Sequence, residues 1–230
     1  SDAANGGSLD GPVDLVKTKM TNALGLASVE FTLGAKAGVN INQVRVTARK
    51  QDESHLEGSP IIFYITGKAT NATRIAKDDG DMQSGTVGEF LAQELKVAAK
   101  DQFGNNVAGQ PITFRIKPIT GVADTLLGSL GEGTGTEATA TTGSDGIARM
   151  KWRLSRKVGT YTVEAESRSG GAQLEGSPLT FTATAIAGKS DTLLSTVEAS
   201  PLEQVVSTGN HSVQIIITLK DKYGNPVKDK

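Results

Sequence analysis

The sequence predicts an all-β chain built as a tandem array of antiparallel β-sandwiches, and three observations carry that prediction. Segments recur at a spacing of roughly 120 residues. Leu56-Glu57-Gly58-Ser59-Pro60 returns as Leu174-Glu175-Gly176-Ser177-Pro178, residues 27–33 parallel 148–154, and Lys100-Asp101-Gln102-Phe103-Gly104-Asn105 is restated as Lys220-Asp221-Lys222-Tyr223-Gly224-Asn225. Apolar residues alternate with a period of two almost throughout, and no stretch supports a helical period. Glycine is frequent, at 27 of 230 residues, and turn signals separate the alternating runs about every ten residues.

Aligning the copies divides the chain into three: residues 1–68, the C-terminal part of a module; 69–188, a complete module; and 189–230, the N-terminal part of a further one. This organisation reads as a fragment of a longer array or as an assembly subunit. Within the complete module, Leu95-Lys96-Val97-Ala98-Ala99 is a half-buried strand, and its copy aligns Val213, Ile215, Ile217 and Leu219 on one face. The following Asp101-Gln102-Phe103-Gly104-Asn105-Asn106 is a tight connection, because Gly and Asn tolerate positive φ. Ile112, Phe114 and Ile116 then alternate with Thr113, Arg115 and Lys117, and Pro111 stands at the strand's start, where a missing N–H does least harm.

Residues 118–136 are rich in Gly and Thr and read as a long loop with one short strand. The turn Thr142-Gly143-Ser144-Asp145-Gly146 launches a strand with Ala148, Met150, Trp152 and Leu154 inward and Arg149, Lys151 and Arg153 outward. Val158-Gly159 turns the chain again. Tyr161, Val163 and Ala165 point in from the next strand, against Thr162, Glu164 and Glu166. A hairpin loop over 167–177 leads to the last strand, where Leu179, Phe181, Ala183 and Ala185 alternate with threonines. Seven or so short strands with regular turns fit a sandwich.

The run from Val97 through Asp101-Gln102-Phe103-Gly104-Asn105-Asn106 to Gly109 resembles the signature of bacterial immunoglobulin-like domains of group 1. So do Thr142-Gly143-Ser144-Asp145-Gly146-Ile147-Ala148 and Val158-Gly159-Thr160-Tyr161-Thr162-Val163-Glu164-Ala165. The resemblance covers most of 91–166. It implies immunoglobulin-like sandwiches, an extracellular or cell-surface setting, and the rods of intimin- and invasin-type adhesins. The hairpin ending in Gly176-Ser177-Pro178 is closer to the final hairpin of filamin repeats. The resemblance carries over no catalytic or ligand-binding residue.

Composition excludes several classes. With 24 basic and 25 acidic residues the chain lacks the basic footprint of a nucleic-acid or membrane-surface binder. There is no cysteine, hence no disulfide and no thiolate metal site. No apolar run is long enough to insert into a membrane as a helix. His55 and His211 occupy non-equivalent places, and no nucleophile turn or phosphate loop is present, so no enzyme activity and no cofactor are expected.

The remaining candidates are few. Asp78, Asp79 and Asp81 form the densest acidic cluster and are candidate calcium ligands, although their spacing does not follow the EF-hand and the third copy lacks them. Arg149, Lys151 and Arg153, continued by Arg156 and Lys157, form a basic stripe that is a candidate contact for an anionic polysaccharide or lipid headgroup. The alternative is a solvated face paired with Glu94. Trp152 and its equivalent Phe31 are expected in the core, and Tyr161 resembles a tyrosine-corner residue.

The expected function is a structural spacer or stalk, with neighbouring modules of the same chain as partners and short linkers at 69–73 and 187–191. One alternative is a binding module that recognises a host protein or glycan through loops 118–136 and 167–177. Another is an accessory module of a secreted polysaccharide-degrading enzyme. The partial modules also suggest head-to-tail self-association by strand addition, the tail of one copy completing the head of the next.

Overall fold

A computed structural model of the chain describes residues 7–10, 15–119, 123, 126–200, 202 and 213–228. Short strands follow one another along it. They are β1 (Ser8–Leu9), β2 (Phe31–Thr32), β3 (Gly38–Val46), β4 (Ile61–Gly67), β5 (Arg74–Asp79), β6 (Gln83–Thr86), β7 (Leu95–Lys100), β8 (Pro111–Ile116) and β9 (Ser129–Leu130). After them come β10 (Glu137–Thr141), β11 (Ile147–Met150), β12 (Trp152–Arg153), β13 (Gly159–Glu166), β14 (Arg168–Ser169), β15 (Ala172–Gln173), β16 (Leu179–Ile186), β17 (Thr196–Ser200) and β18 (Gln214–Thr218).

Residues 74–186 close into a two-layer sandwich. One sheet has the order β10-β8-β13-β16-β6; facing it is β11-β7-β5, extended by the pair β12-β9. The alternation read from sequence is the burial pattern observed: Tyr161, Val163 and Ala165 of β13 are buried while Thr162, Glu164 and Glu166 between them are not. Phe114, Phe181, Trp152, Leu95 and Val163 meet in one core from both layers. Each large apolar side chain so enclosed contributes roughly 1.5–3 kcal/mol. The Tyr161 hydroxyl donates to the Lys157 carbonyl at 3.0 Å, tying the β12–β13 loop to the strand that follows it.

Three details depart from the sequence reading. Residues 148–154 form two strands rather than one, broken at Lys151, because β11 pairs with β7 whereas β12 pairs with β9. Part of the expected loop 118–136 is core: Leu127 and Leu130 are buried, closing the sheet edge beside β12. Most consequential, the acidic segment carries a crossing between the two sheets that no periodicity marks. β5 pairs with β7 in one sheet, the chain kinks at Gly80, and β6 crosses to the other sheet and runs parallel to β16. Gly80 has φ +87°, and a Cβ there would come within 2.2 Å of the Glu94 carbonyl oxygen, so only glycine fits the crossing.

The flanking strands repeat the sandwich's own pairings. Leu9 opposes Phe31 as Leu130 opposes Trp152; the β3–β4 hairpin is the counterpart of β13–β16; and Val197 opposes Ile217 as Lys77 opposes Val97. Cis Ser59–Pro60 and Ser177–Pro178 lie at the same place in two hairpins. What the flanking strands lack, among the described residues, is a facing layer. Phe63 is 53% exposed where its counterpart Phe181 is fully buried, and Ile217 is 63% exposed where Val97 is fully buried.

Candidate functional site: the joints between sandwiches

The turn after β7 begins with Asp101, a fully buried carboxylate. Its Oδ1 accepts hydrogen bonds from the backbone amides of Phe103 and Asn105, both at 2.9 Å. Oδ2 accepts from the Thr70 amide at 3.0 Å, the Thr70 hydroxyl at 3.3 Å and Asn105 Nδ2 at 3.0 Å. The carboxylate thus fastens its own turn and the incoming linker at once. Burial alone would raise its pKa. The bonds from Asn105, Thr70 and Phe103 outweigh that and hold it down at about 2.

Asn105 carries the connection outward. Its Nδ2 donates to the Ala35 carbonyl at 2.8 Å and its Oδ1 accepts from the Ala37 amide at 2.9 Å. Ala35 and Ala37 lie in the loop between β2 and β3, on the preceding unit. One side-chain amide therefore reads a donor and an acceptor of a foreign backbone, as a strand neighbour would.

The second joint uses the same groups. Asp221 Oδ1 accepts from the Tyr223 and Asn225 amides at 2.9 Å, and its Oδ2 accepts from the Gly188 amide at 3.1 Å. Hydrogen bonds from Asn225, Gly188 and Tyr223 overcome the effect of burial and lower the Asp221 pKa as well. Asn225 Nδ2 donates to the Arg156 carbonyl at 2.8 Å, and Oδ1 accepts from the Val158 amide at 3.2 Å. Arg156 and Val158 occupy the loop between β12 and β13, the counterpart of the β2–β3 loop.

Around that clamp the second joint adds side-chain contacts. Tyr223 lies on Gly88, where a Cβ would sit 2.7 Å from the phenolic oxygen. The Arg156 guanidinium stands 5.6 Å from the Tyr223 ring centre and the Lys222 ammonium 5.0 Å, and Lys222 also approaches Glu89 at 3.6 Å. A cleft of about 340 Å³ lies beside these residues, lined in part by Thr86, Lys189, Ser190 and Asp191.

Of the acidic cluster and the basic stripe singled out from sequence, Arg156 lies at the second joint; Asp78, Asp79, Asp81, Arg149, Lys151 and Arg153 fall elsewhere. Asp79 bonds Lys96 at 3.0 Å and caps the Gly80 amide, both of which lower its pKa. Asp81 pairs with Lys77 and accepts from the amides of Met82 and Thr182 at 2.9 Å; against the effect of burial, these bonds lower its pKa. Asp78 is exposed. Among the described residues no three His, Asp or Glu side chains are grouped to hold a metal ion.

The basic stripe is already engaged. Arg149 bonds Asp145 at 2.6 Å, Lys151 bonds Glu132 at 2.5 Å, and Arg153 stacks 4.3 Å from the Phe90 ring centre. Glu94, expected as the partner, contributes only its field, because the β-turn puts Asp145 within direct reach of Arg149. Trp152 is buried in the core, and its equivalent Phe31 is half-buried. His55 lies exposed on a bridge opposite Arg49; His211 and residues 120–122, 124 and 125 of the first candidate loop are outside the described residues.

The two candidate loops do not converge. The 167–177 hairpin is held by Gln110 Nε2, which donates to Ser167 Oγ and the Arg168 carbonyl at 2.9 Å, at the end where β8 begins. The described part of 118–136 is tied by Ser155 Oγ to the Leu126 carbonyl, near the end where β8 finishes. Sequence reasoning took the Asp-x-aromatic-Gly-Asn segment for a turn and missed its role as the joint. The available signal was that Asp and Asn both recur in a turn for which the glycine alone would suffice.

No protein-family model matches the sequence. Among solved structures, the chain is similar to FdeC, an Escherichia coli adhesin, with a TM-score of 0.52 and 20% identity over 87% of this chain and 55% of that one. InvD of Yersinia pseudotuberculosis aligns over 90% of this chain and 57% of its own at 18% identity and a TM-score of 0.49. The D00-D0 domain of intimin aligns over 81% and 82% at 17% identity and a TM-score of 0.34. The chain spans little more than half of the FdeC and InvD structures. The crossing between sheets at Gly80, the tyrosine corner and the likeness to FdeC make this chain all-β, with an immunoglobulin-like sandwich over residues 74–186.

Proposed function

We propose that the chain is a non-catalytic spacer or stalk segment of a bacterial cell-surface protein, acting outside the cell by holding successive modules in a fixed relation. The modules are those expected from the repeat, 1–68, 69–188 and 189–230, joined through 69–73 and 187–191. The observation that carries this reading is the duplicated clamp. Asp101 with Asn105 and Asp221 with Asn225 make the same bonds to the preceding loop, so the geometry between neighbours is specified rather than left to a free linker. The fold likeness to an E. coli adhesin agrees with a surface setting.

Recognition of a host protein or glycan, and calcium at Asp78, Asp79 and Asp81, would be additions to this role. Head-to-tail association between copies by strand addition would likewise be an addition to it. Small-angle scattering on the chain and on versions extended by one and two copies of 69–188 tests the spacer reading. A maximum dimension that grows by a constant increment per module supports it; growth with the square root of module number, as for flexibly linked beads, refutes it.

A further inference from the structure

A stalk is loaded along its length, and the topology of the central sandwich determines how that load is borne. The chain enters at residue 70 and leaves after residue 186, at opposite ends. β6, reached from the entry side through β5, and β16, the exit strand, are parallel neighbours: Gln83 pairs with Ala183, Ser84 with Thr184, Gly85 with Ala185 and Ile186 with Thr86. Tension on the two termini pulls these strands in opposite directions along their common axis. The ladder bonds are then sheared together, not opened one after another from an end.

Further bonds lie on the same path. The Val87 amide donates to the Ile186 carbonyl at 3.0 Å, closing the exit end of the pair. At the other end Asp81 Oδ1 accepts from the Thr182 amide at 2.9 Å, reaching from the sheet crossing to the exit strand. On the entry side, the Thr73 amide donates to the Lys100 carbonyl at 2.9 Å and the Ile75 amide to the Glu175 carbonyl at 2.9 Å, so β5 is held on both flanks. The Thr70 amide and hydroxyl are anchored on Asp101 before the chain enters the sheet.

We propose that the sandwich spanning residues 74–186 is a load-bearing unit, with the parallel β6–β16 pair as its mechanical clamp and Asp81 as a side-chain extension of that clamp. The proposal rests on the spacer reading for the origin of the load; the clamp itself is a property of the folded chain and is measured separately. It also gives Asp81, picked out from sequence as part of an acidic cluster, a role that needs no ion.

Single-molecule pulling on the full chain tests this, because the absence of cysteine lets introduced cysteines take handles selectively. With handles at the two termini, the central sandwich should unfold in one event that releases roughly 3.5 Å of length per residue. With handles on Met82→Cys and Thr180→Cys, which load the same end of both strands and peel them apart, the force should be markedly lower. Asp81→Ala should make end-to-end unfolding about tenfold faster at a given force, as expected for losing a hydrogen bond to a charged acceptor. Asp145→Ala, which removes a contact off this path, should not. Equal forces in the two pulling geometries, or an Asp81→Ala unfolding rate unchanged under end-to-end load, overturn the proposal. Either result leaves the scattering test of the spacer reading untouched.

Discussion

Replacing Asn225 by aspartate should open the second joint while leaving the central sandwich folded. In the native joint Asn225 Nδ2 lies 2.8 Å from the Arg156 carbonyl oxygen and 2.9 Å from Asp221 Oδ2, donating to both. Aspartate puts a charged oxygen in that position, beside a buried carboxylate. Two unit charges at that separation repel by about 6 kcal/mol at an effective dielectric of ~20. Only the bond from the Val158 amide, contributing about 1 kcal/mol, remains to oppose it, because a carboxylate cannot donate to the Arg156 carbonyl. Repulsion wins, so the side chain leaves or takes up a proton. Asn225→Ala, which deletes both bonds across the joint, to the Arg156 carbonyl and from the Val158 amide, at about 1 kcal/mol each, should raise the open population by about 30-fold; Asn225→Asp should exceed it at neutral pH. Hydrogen exchange at the Val158 amide, which donates to Asn225 Oδ1, reports the joint directly. Spin-label distances between Thr139 and Lys228 report its angular spread. Acidification should partly re-close the Asn225→Asp joint, because a shared proton restores a donor. Equal Val158 protection in Asn225→Asp and the native chain at neutral pH would refute the clamp.

The native joints should respond to acid in the opposite direction. Asp101 is held at about 2 in the folded joint against an ordinary value of about 3.9. Its stabilising contribution is therefore complete above pH ~4 and lost as pH falls through about 2, to be read as declining Ala37 amide protection across that window. Gly80→Ala should destabilise the sandwich, by about 1–2 kcal/mol from the left-handed backbone alone and more from the clash with Glu94, measured by denaturant unfolding. Tyr161→Phe should cost about 1 kcal/mol by the same measurement, for its hydroxyl's bond to Lys157. Alanine at Arg149, Lys151 or Arg153 should leave the denaturant midpoint close to that of the native chain, their contacts being exposed.

Much of the architecture was legible in the sequence because one physical signal produced it. Alternation in Tyr161-Thr162-Val163-Glu164-Ala165 gives both the strand and its buried face, and the recurrence of Leu-Glu-Gly-Ser-Pro fixes the period. β6 was not legible. Gln83-Ser84-Gly85-Thr86 has no apolar alternation, and its place is set by a crossing at Gly80 and a parallel neighbour a hundred residues later. The short strand expected within 118–136 is β9, but the burial of Leu127 and Leu130 was not legible, since two isolated leucines in a Gly-Thr stretch establish no period. The joint was hidden for a different reason. Asp101 and Asn105 satisfy the ordinary requirements of a tight turn, and a local motif that explains itself gives no hint that its side-chain amide is also bonded to another unit.

In both joints Asn reaches only main-chain atoms of its neighbour: the Ala35 and Ala37 backbone in one, the Arg156 and Val158 backbone in the other. The receiving loop of the first joint is thereby free to vary in sequence, provided its path is kept; in the second, the Arg156 side chain also meets the Tyr223 ring. On the spacer reading, recombination between repeats would then lengthen, shorten or reorder such an array with the main-chain clamp kept, only the added contacts of Tyr223 and Lys222 having to be matched. On that reading, reach is a heritable trait adjustable in whole-module steps, independent of whatever each module displays on its sides.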